Sequence, residues 1–417
     1  MERLGNIGNM PIGKKDDMKA EKSDRIRVLG VAPSLGGGGA EMSLLRLVNH
    51  LDRDRFRPGV AVARSGGAYE ADLAEDVDLN VLCEGPLRSS RGRVLRAALP
   101  LRRLIQRTRP DVVVSVLSHV NLAVLLSTWR LDPCPQVVLS VQNDPRARNE
   151  KAGLDLTERA VFFLMRRFYR RADQIVAISK GVETEVAALI PGVQGRTTVI
   201  HNAGVDETVR RKSRQSPADA PPRASEEQVI AACGRLIEEK GFRYLLDAFA
   251  RVREQGPAQL WILGEGPKRT ALEKQARELE IADDVWMPGF MDNPYRYMAA
   301  ADAFALSSVS EGFGNVVAEA MACGTPVVVT DCPHGPGEIV EGGESGLLVP
   351  PADAGALADA LTRVLTDAGL RVRLAEAAKR RAHDFTAARV AEQYERLFER
   401  LAPSRVKPSG AVRPVAL

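Results

Sequence analysis

Short, uninterrupted runs of Val, Ile and Leu recur along the chain, each followed by a stretch with helical periodicity. From Ile26 the runs read Arg27-Val-Leu-Gly-Val, Gly59-Val-Ala-Val-Ala, Pro110-Asp-Val-Val-Val-Ser-Val, Gln136-Val-Val-Leu-Ser-Val, Gln174-Ile-Val-Ala-Ile-Ser and Thr198-Val-Ile. A strand with one wet face alternates apolar and polar residues, whereas a strand apolar throughout is buried on both faces, which means a parallel strand between layers of helices. Residues 25–206 are therefore expected to form a doubly wound α/β domain. A second alternation starts at Val229-Ile-Ala-Ala-Cys-Gly and continues through Gln259-Leu-Trp-Ile-Leu-Gly, Val285-Trp-Met-Pro-Gly, Ala303-Phe-Ala-Leu and Pro326-Val-Val-Val-Thr, with helices expected from Phe242, Pro267 and Pro294. It predicts a second Rossmann-like domain over 228–384. Between the two, residues 207–227 are rich in Arg, Ser, Pro and Ala without apolar periodicity and read as a linker. Residues 385–402 carry one more amphipathic helix, Val390 to Leu401, while 1–24 and 403–417 read as tails, the first of them disordered.

With 417 residues, 45% hydrophobic and 27% charged, the chain can bury a large core in two domains. A net charge of +4 is mild and demands no nucleic-acid partner, although it suits an anionic ligand or membrane surface. The five cysteines, Cys83, Cys134, Cys233, Cys323 and Cys332, are scattered and lack C-x-x-C spacing, which argues against a disulfide framework or a zinc site and points to a reducing cytoplasm. Residues 1–24 contain no apolar core of a signal peptide, and no apolar run approaches the roughly 20 residues of a spanning helix.

Ligands of open parallel sheets sit beyond the carboxyl ends of the strands, which gathers the loops after Ser34, Ser118, Gly234, Gly264, Gly289 and Ser310 around one crevice. The most informative of these loops leads from Glu311 to Glu319, in Glu-Gly-Phe-Gly-Asn-Val-Val-Ala-Glu. Gly312 and Gly314 allow close backbone approach to a ligand, and Asn315 is expected to cap a helix from Val316 to Cys323 that Gly324 and Pro326 stop. Its first-turn N–H groups would face a phosphate. Glu311 would accept hydrogen bonds from sugar hydroxyls and Glu319, one turn into the helix, from a ribose diol. A buried strand-helix pair with two exposed acids would show the same letters.

Arg235 and Lys240 follow the strand ending at Cys233 and precede a helix. Two cations there suit a diphosphate leaving group, whose negative charge grows as its bond to the sugar breaks; a solvated pair bridging Glu238 and Glu239 is the bland alternative. Gly36-Gly-Gly-Gly-Ala-Glu41 lacks the Gly-Lys-Ser/Thr of a Walker loop and the G-x-G-x-x-G spacing of a nicotinamide site, but its glycines let an anion approach the backbone. A merely tight turn is the competing reading. Asp76-Val-Asp78, the nearest approach to a metal-binding D-x-D, lies far in sequence from the cationic motifs, so no metal site is expected. The segment 157–171 mixes Phe162, Phe163, Leu164, Met165 and Phe168 with Arg166, Arg167, Arg170 and Arg171, a pattern shared by helices on anionic bilayers and by helices packed on their own sheet.

Over residues 26–400 these separated motifs resemble the retaining, nucleotide-sugar-dependent glycosyltransferases of the GT-B fold, family four. The resemblance implies two Rossmann-like domains facing across a cleft, with the helix after Phe385-Thr386 crossing back onto the first domain. It implies that Arg235 and Lys240 clamp the diphosphate together with the helix N-terminus at Asn315-Val316. Gly38 and Gly39 would lie near donor phosphate and acceptor, and Gly234, Gly264, Gly289 and the backbone near Phe290 would wall the nucleotide. His119, with Glu311, Phe313 and Gly314, would orient the transferred sugar. His201 is expected to be hinge-like, and Gly337 stands where many members have arginine, leaving donor contacts from Asp331–Glu338 open. The expected activity is metal-independent retaining transfer of a hexosyl unit from a nucleotide diphosphate sugar, UDP-linked in preference to GDP-mannose, with no cofactor. The expected acceptor is a hydroxyl of a surface glycan or lipid-linked saccharide, and the expected site of work is the cytoplasm or the inner face of its membrane. An epimerase of the same shape would need acid/base residues in the cleft, and a non-catalytic binding module would bind donor and release none.

Overall fold

The structure is a computed structural model that describes residues 24–36, 38–83, 96–142 and 156–402; the two tails, Gly37, most of the stretch ahead of the second helix and the segment after Gln142 lie outside them. The first sheet contains β1 (Ile26–Ala32), β2 (Phe56–Val62), β3 (Asp78–Val81), β4 (Val112–Val116), β5 (Gln136–Val141), β6 (Gln174–Ala177) and β7 (Thr197–Val199). Its helices are α1 (Gly39–His50), α2 (Ala98–Thr108), α3 (Ser118–Thr128), α4 (Leu156–Phe168) and α5 (Lys180–Leu189). After α6 (Glu207–Ser213) the second sheet holds β8 (Gln228–Cys233), β9 (Ala258–Leu263), β10 (Val285–Gly289), β11 (Ala303–Leu306), β12 (Val327–Thr330) and β13 (Leu347–Val349). Its helices are α7 (Phe242–Arg253), α8 (Arg269–Glu278), α9 (Tyr295–Ala300), α10 (Asn315–Cys323), α11 (Pro336–Ile339), α12 (Ala354–Thr366), α13 (Ala368–Ala382) and α14 (Ala387–Leu401).

Strand order is β3-β2-β1-β4-β5-β6-β7 in one sheet and β10-β9-β8-β11-β12-β13 in the other, with every pairing between these strands parallel. Both are doubly wound, and the order reverses between β1 and β4 and between β8 and β11. Neighbours in sequence on one strand serve opposite layers: Val28, Val60, Val112 and Val138 pack beneath α1 and α14, whereas Leu29, Ala61, Val113 and Leu139 pack toward α2 to α4. That division is the reason the runs are apolar at every position.

α14 belongs in sequence to the end of the second domain and in space to the first. Val390, Ala391, Tyr394, Leu397 and Phe398 share one core with Leu44, Leu45 and Val48 of α1, and the Phe398 ring meets Phe56 edge-on at 6.3 Å between centroids. The chain thus crosses between domains twice, and the crossings are tied together: Ala387 donates to the Val205 carbonyl at 2.7 Å and Val205 to the Phe385 carbonyl at 3.1 Å. The stretch expected as a linker, 207–227, opens with α6. Its first residues are helical, because the Asp206 side chain accepts from the Val209 N–H at 3.0 Å and starts α6.

Candidate active site

The order reversal of a doubly wound sheet opens a crevice where the flanking loops diverge. In the second sheet those loops follow β8 and β11, and they carry Arg235, Lys240 and Glu311. Lys240 Nζ donates to Glu311 Oε1 at 2.5 Å and Ser308 Oγ to the same oxygen at 2.7 Å. Ser307 Oγ in turn donates to the Lys240 carbonyl at 2.9 Å, so the two loops are laced across the switch point. Glu238, one partner in the bland alternative, meets Lys268 and Arg243 instead. Arg235 is exposed in the cleft and, among the described residues, is held by no ion pair.

Facing this pair is the N-terminus of α10. Its cap is Gly314, in the left-handed region at φ 95°, rather than Asn315, which is already helical. Freed from capping, the Asn315 side chain donates from Nδ2 to the Gly39 carbonyl at 3.1 Å and to Ser43 Oγ at 3.2 Å. The N-termini of α10 and α1, one from each domain, therefore meet. A Cβ on Gly39 would come within 3.1 Å of Asn315 Nδ2, so the glycine is what lets them approach. Glu41 holds the α1 loop by accepting from the Gly38 N–H at 2.8 Å and Ser34 Oγ at 3.0 Å.

One cavity of about 1160 Å³ joins these groups. Of the residues singled out from the sequence, Gly38, Gly39, Gly234, Arg235, Lys240, Gly264, Phe290, Glu311, Phe313, Gly314, Asn315, Val316 and Glu319 line it. Gly289 is not on that wall; its carbonyl accepts from the Gly264 N–H at 2.8 Å and so backs it. Phe313 reaches the cleft by its main chain, since its ring is buried against His201 and Phe385 at 5.2 and 5.5 Å. His119 is not among the residues that line the cavity. Leu117 precedes α3 with φ 75°, the helix starts at once, and His119 lies half-buried in its first turn.

Gln142 and Asn202 supply polar groups of the first domain to the wall, with Asn202 Nδ2 donating to Gln142 Oε1 at 2.9 Å. Their position at strand ends is a signal that the sequence carried, but amides there are common. His201 faces away from the cavity and holds Glu338 Oε2 at 3.0 Å, while Glu338 Oε1 accepts from the N–H groups of Lys180 and Gly181 at the start of α5 at 2.8 and 3.3 Å. The Asp331–Glu338 segment thus clips the domains together and contributes no cavity wall.

Glu319 is the most constrained group. Its Oε1 accepts from Arg46 Nη1 at 3.3 Å and from the Tyr295 hydroxyl at 3.4 Å. Burial pushes its pKa up, opposed by the charge and hydrogen bond of Arg46. Burial likewise raises the Cys233 thiol, on the same wall, to about 12, so it stays protonated. Asp76 of the D-x-D is engaged elsewhere, with both carboxylate oxygens on Arg53 at 2.6 and 3.1 Å. Among the described residues no cluster of three or more His, Cys, Asp or Glu is arranged to hold a metal ion.

Two Rossmann-like domains with their switch points facing a shared cleft, and a cation-carboxylate pair at one of them, define a GT-B glycosyltransferase architecture. The family described as Glycosyl transferases group 1 matches residues 214–381, and that described as Glycosyltransferase Family 4 matches residues 37–208. The lipopolysaccharide core biosynthesis glycosyltransferase LpsE of Rhizobium meliloti is 31% identical over 81% of this chain and 89% of its own. A Campylobacter jejuni N-acetylgalactosaminyltransferase, named for a diphospho-undecaprenol-linked saccharide, is 33% identical over 55% of this chain and 60% of its own. The crystal structure of Anabaena HepE in complex with UDP and glucose superposes with a TM-score of 0.74 at 23% identity, covering 90% of this chain and all of that one. The chain belongs to the group 1, family four glycosyltransferases.

Proposed function

We propose that the protein transfers a hexosyl unit with retention of anomeric configuration, and without a metal ion, from a nucleotide diphosphate sugar to an acceptor hydroxyl of a surface glycan or lipid-linked saccharide. The observation that carries this reading is the Lys240–Glu311 hydrogen bond across the β8/β11 switch point, with Arg235 and the α10 N-terminus beside it. Negative charge builds on the β-phosphate as the C1–O bond breaks, and Arg235, Lys240 and the first-turn N–H groups of α10 stabilise it where other folds use a divalent cation. Glu311, carrying Lys240 and Ser308 on one oxygen, keeps the other for sugar hydroxyls. Glu319 holds the ribose. With the Cys233 thiol kept protonated by burial and Glu311 restrained by Lys240 and Ser308, the reading favours front-face transfer in which the leaving phosphate takes the acceptor proton.

A UDP-linked donor is favoured by the likeness to a UDP-binding fold relative, and a lipid-linked or surface acceptor by the names of the two bacterial relatives. Among the described residues no helix is long and apolar enough to cross a membrane, so contact with an anionic membrane would be made from its surface, on our reading the inner face of the cytoplasmic membrane. The test is a thermal-shift screen of nucleotide sugars followed by turnover with polyprenyl-diphosphate saccharides, the product anomer being read by NMR. Acceptor-dependent transfer with retained configuration is expected. An inverted product would overturn retention, donor turnover without acceptor would indicate an epimerase, and binding without turnover would indicate a non-catalytic module.

A further inference from the structure

Arg46 lies in the middle of α1, in the first domain, yet its guanidinium also reaches Glu319 and Tyr295 of the second. It is 2% exposed. Nε donates to Asp206 Oδ2 at 3.1 Å, Nη1 to the carbonyls of Ala203 and Gly204 at 3.0 and 2.7 Å and to Glu319 Oε1 at 3.3 Å, and Nη2 to the Tyr295 hydroxyl at 3.3 Å. One side chain thereby joins α1, the first interdomain crossing, α9 and α10. Burial opposes its charge, and the carboxylates of Glu319 and Asp206 more than offset that cost, so it stays ionised. Its principal carboxylate partner across the domain boundary lines the cleft.

We propose that Arg46 is the first domain's contribution to the donor site, a positioning residue that occupies one oxygen of Glu319 and leaves the other to the ribose of a bound nucleoside diphosphate. The proposal rests on the reading of Glu319 as the ribose ligand and extends it. Oε1 is taken by Arg46 and Tyr295, whereas Glu319 keeps 14% of its side chain exposed on the cavity wall and its Oε2 accepts no hydrogen bond from the described residues. An unpaired carboxylate at this depth would take up a proton and lose half its acceptor capacity. Among the described residues, the other groups coupled to it supply no positive charge: Asp206 ahead of α6, Tyr295 on α9, Tyr69 from the first domain, Cys233 at the end of β8 and Cys323 on α10 itself. Arg46 alone among them supplies it, and it does so from the opposite domain.

The proposal is tested by calorimetric titration of UDP, and of GDP in parallel, into the full chain between pH 6.5 and 9. Arg46→Gln keeps hydrogen-bonding capacity and removes the charge. It should bind about tenfold or more weakly at pH 6.5, as expected for a lost charged hydrogen bond, and the deficit against wild type should shrink as rising pH strips the proton from Glu319. Arg46→Lys keeps the charge and should show a smaller deficit that does not vary with pH. Glu319→Ala should bind weakly at every pH. Wild-type affinity in Arg46→Gln, or a deficit constant with pH, would overturn the proposal while leaving the Glu319 reading intact; wild-type affinity in Glu319→Ala would overturn both. Should Arg46→Gln not fold, Arg46→Lys decides, because wild-type affinity there would show that the geometry around Glu319 does not matter to nucleotide binding.

Discussion

At the scale of single residues, the site separates two carboxylates eight positions apart by what holds them. Glu311 is engaged by Lys240 and Ser308 at the switch point, Glu319 by Arg46 and Tyr295 farther along the cleft. Glu311→Ala should therefore abolish most transfer while leaving UDP affinity nearly unchanged, as measured by calorimetry beside a turnover assay; a parallel loss of affinity would show that both acids serve the nucleotide. Lys240→Ala and Arg235→Ala should each cost about 2–4 kcal/mol of transition-state stabilisation in kcat/KM, the usual scale for removing a donor to a developing anion. Activity should persist in excess chelator, and a strict requirement for added Mg²⁺ or Mn²⁺ would defeat the metal-free scheme.

Among elements, α4 and α14 show how one amphipathic pattern serves different ends. Met165 of α4 and Tyr169 just after it are buried, and Leu164 and Phe168 pack against the same core. The opposite side leaves Phe163 69% exposed, beside Arg166, Arg167, Arg170 and Arg171; Arg171 lies 4.6 Å over the ring of Trp129, itself 46% exposed. Packing on the sheet accounts for the first face and not the second. Replacing the four arginines by Gln should weaken binding to anionic liposomes by about 1 kcal/mol per charge, read by vesicle flotation, with high salt reproducing the loss. Wild-type indifference to such vesicles at low salt would leave the exposed face without this role. α14 buries its apolar side wholly on α1 and the first sheet. Phe398→Ala should cost about 3–5 kcal/mol in denaturant unfolding, and it should loosen the first domain although the residue follows the second in sequence.

For the whole molecule, the relevant contacts are those that close one domain on the other. Gly312, beside the Lys240–Glu311 pair, approaches so closely that a Cβ there would lie 2.3 Å from the Gln142 carbonyl. Gly312→Ala should therefore hold the domains apart, seen as a larger radius of gyration in X-ray scattering and a raised donor KM with unchanged secondary structure. An unaltered radius would mean that the seam yields locally.

What the amino-acid sequence determined by itself is everything that depends on neighbours along the chain. Strands apolar at every position, glycines at their carboxyl ends and helices behind them specify two doubly wound sheets, and the rule that ligands gather at strand ends brings Arg235, Lys240, Glu311 and Glu319 to one crevice. Local capping was legible to within one residue, with Gly314 taking the place of Asn315. Contacts over long separations were not legible. Arg46 reaches Glu319 across 273 positions, Asn315 reaches Gly39 across 276, and His201 turns from the cleft to Glu338 across 137. His119, placed by its distance from a strand end, sits in the first turn of α3 and is not among the residues that line the cavity. Such pairings depend on how two independently folded sheets face each other, and no periodicity within either sheet encodes that angle. Only the docked domains decide which arginine completes which carboxylate.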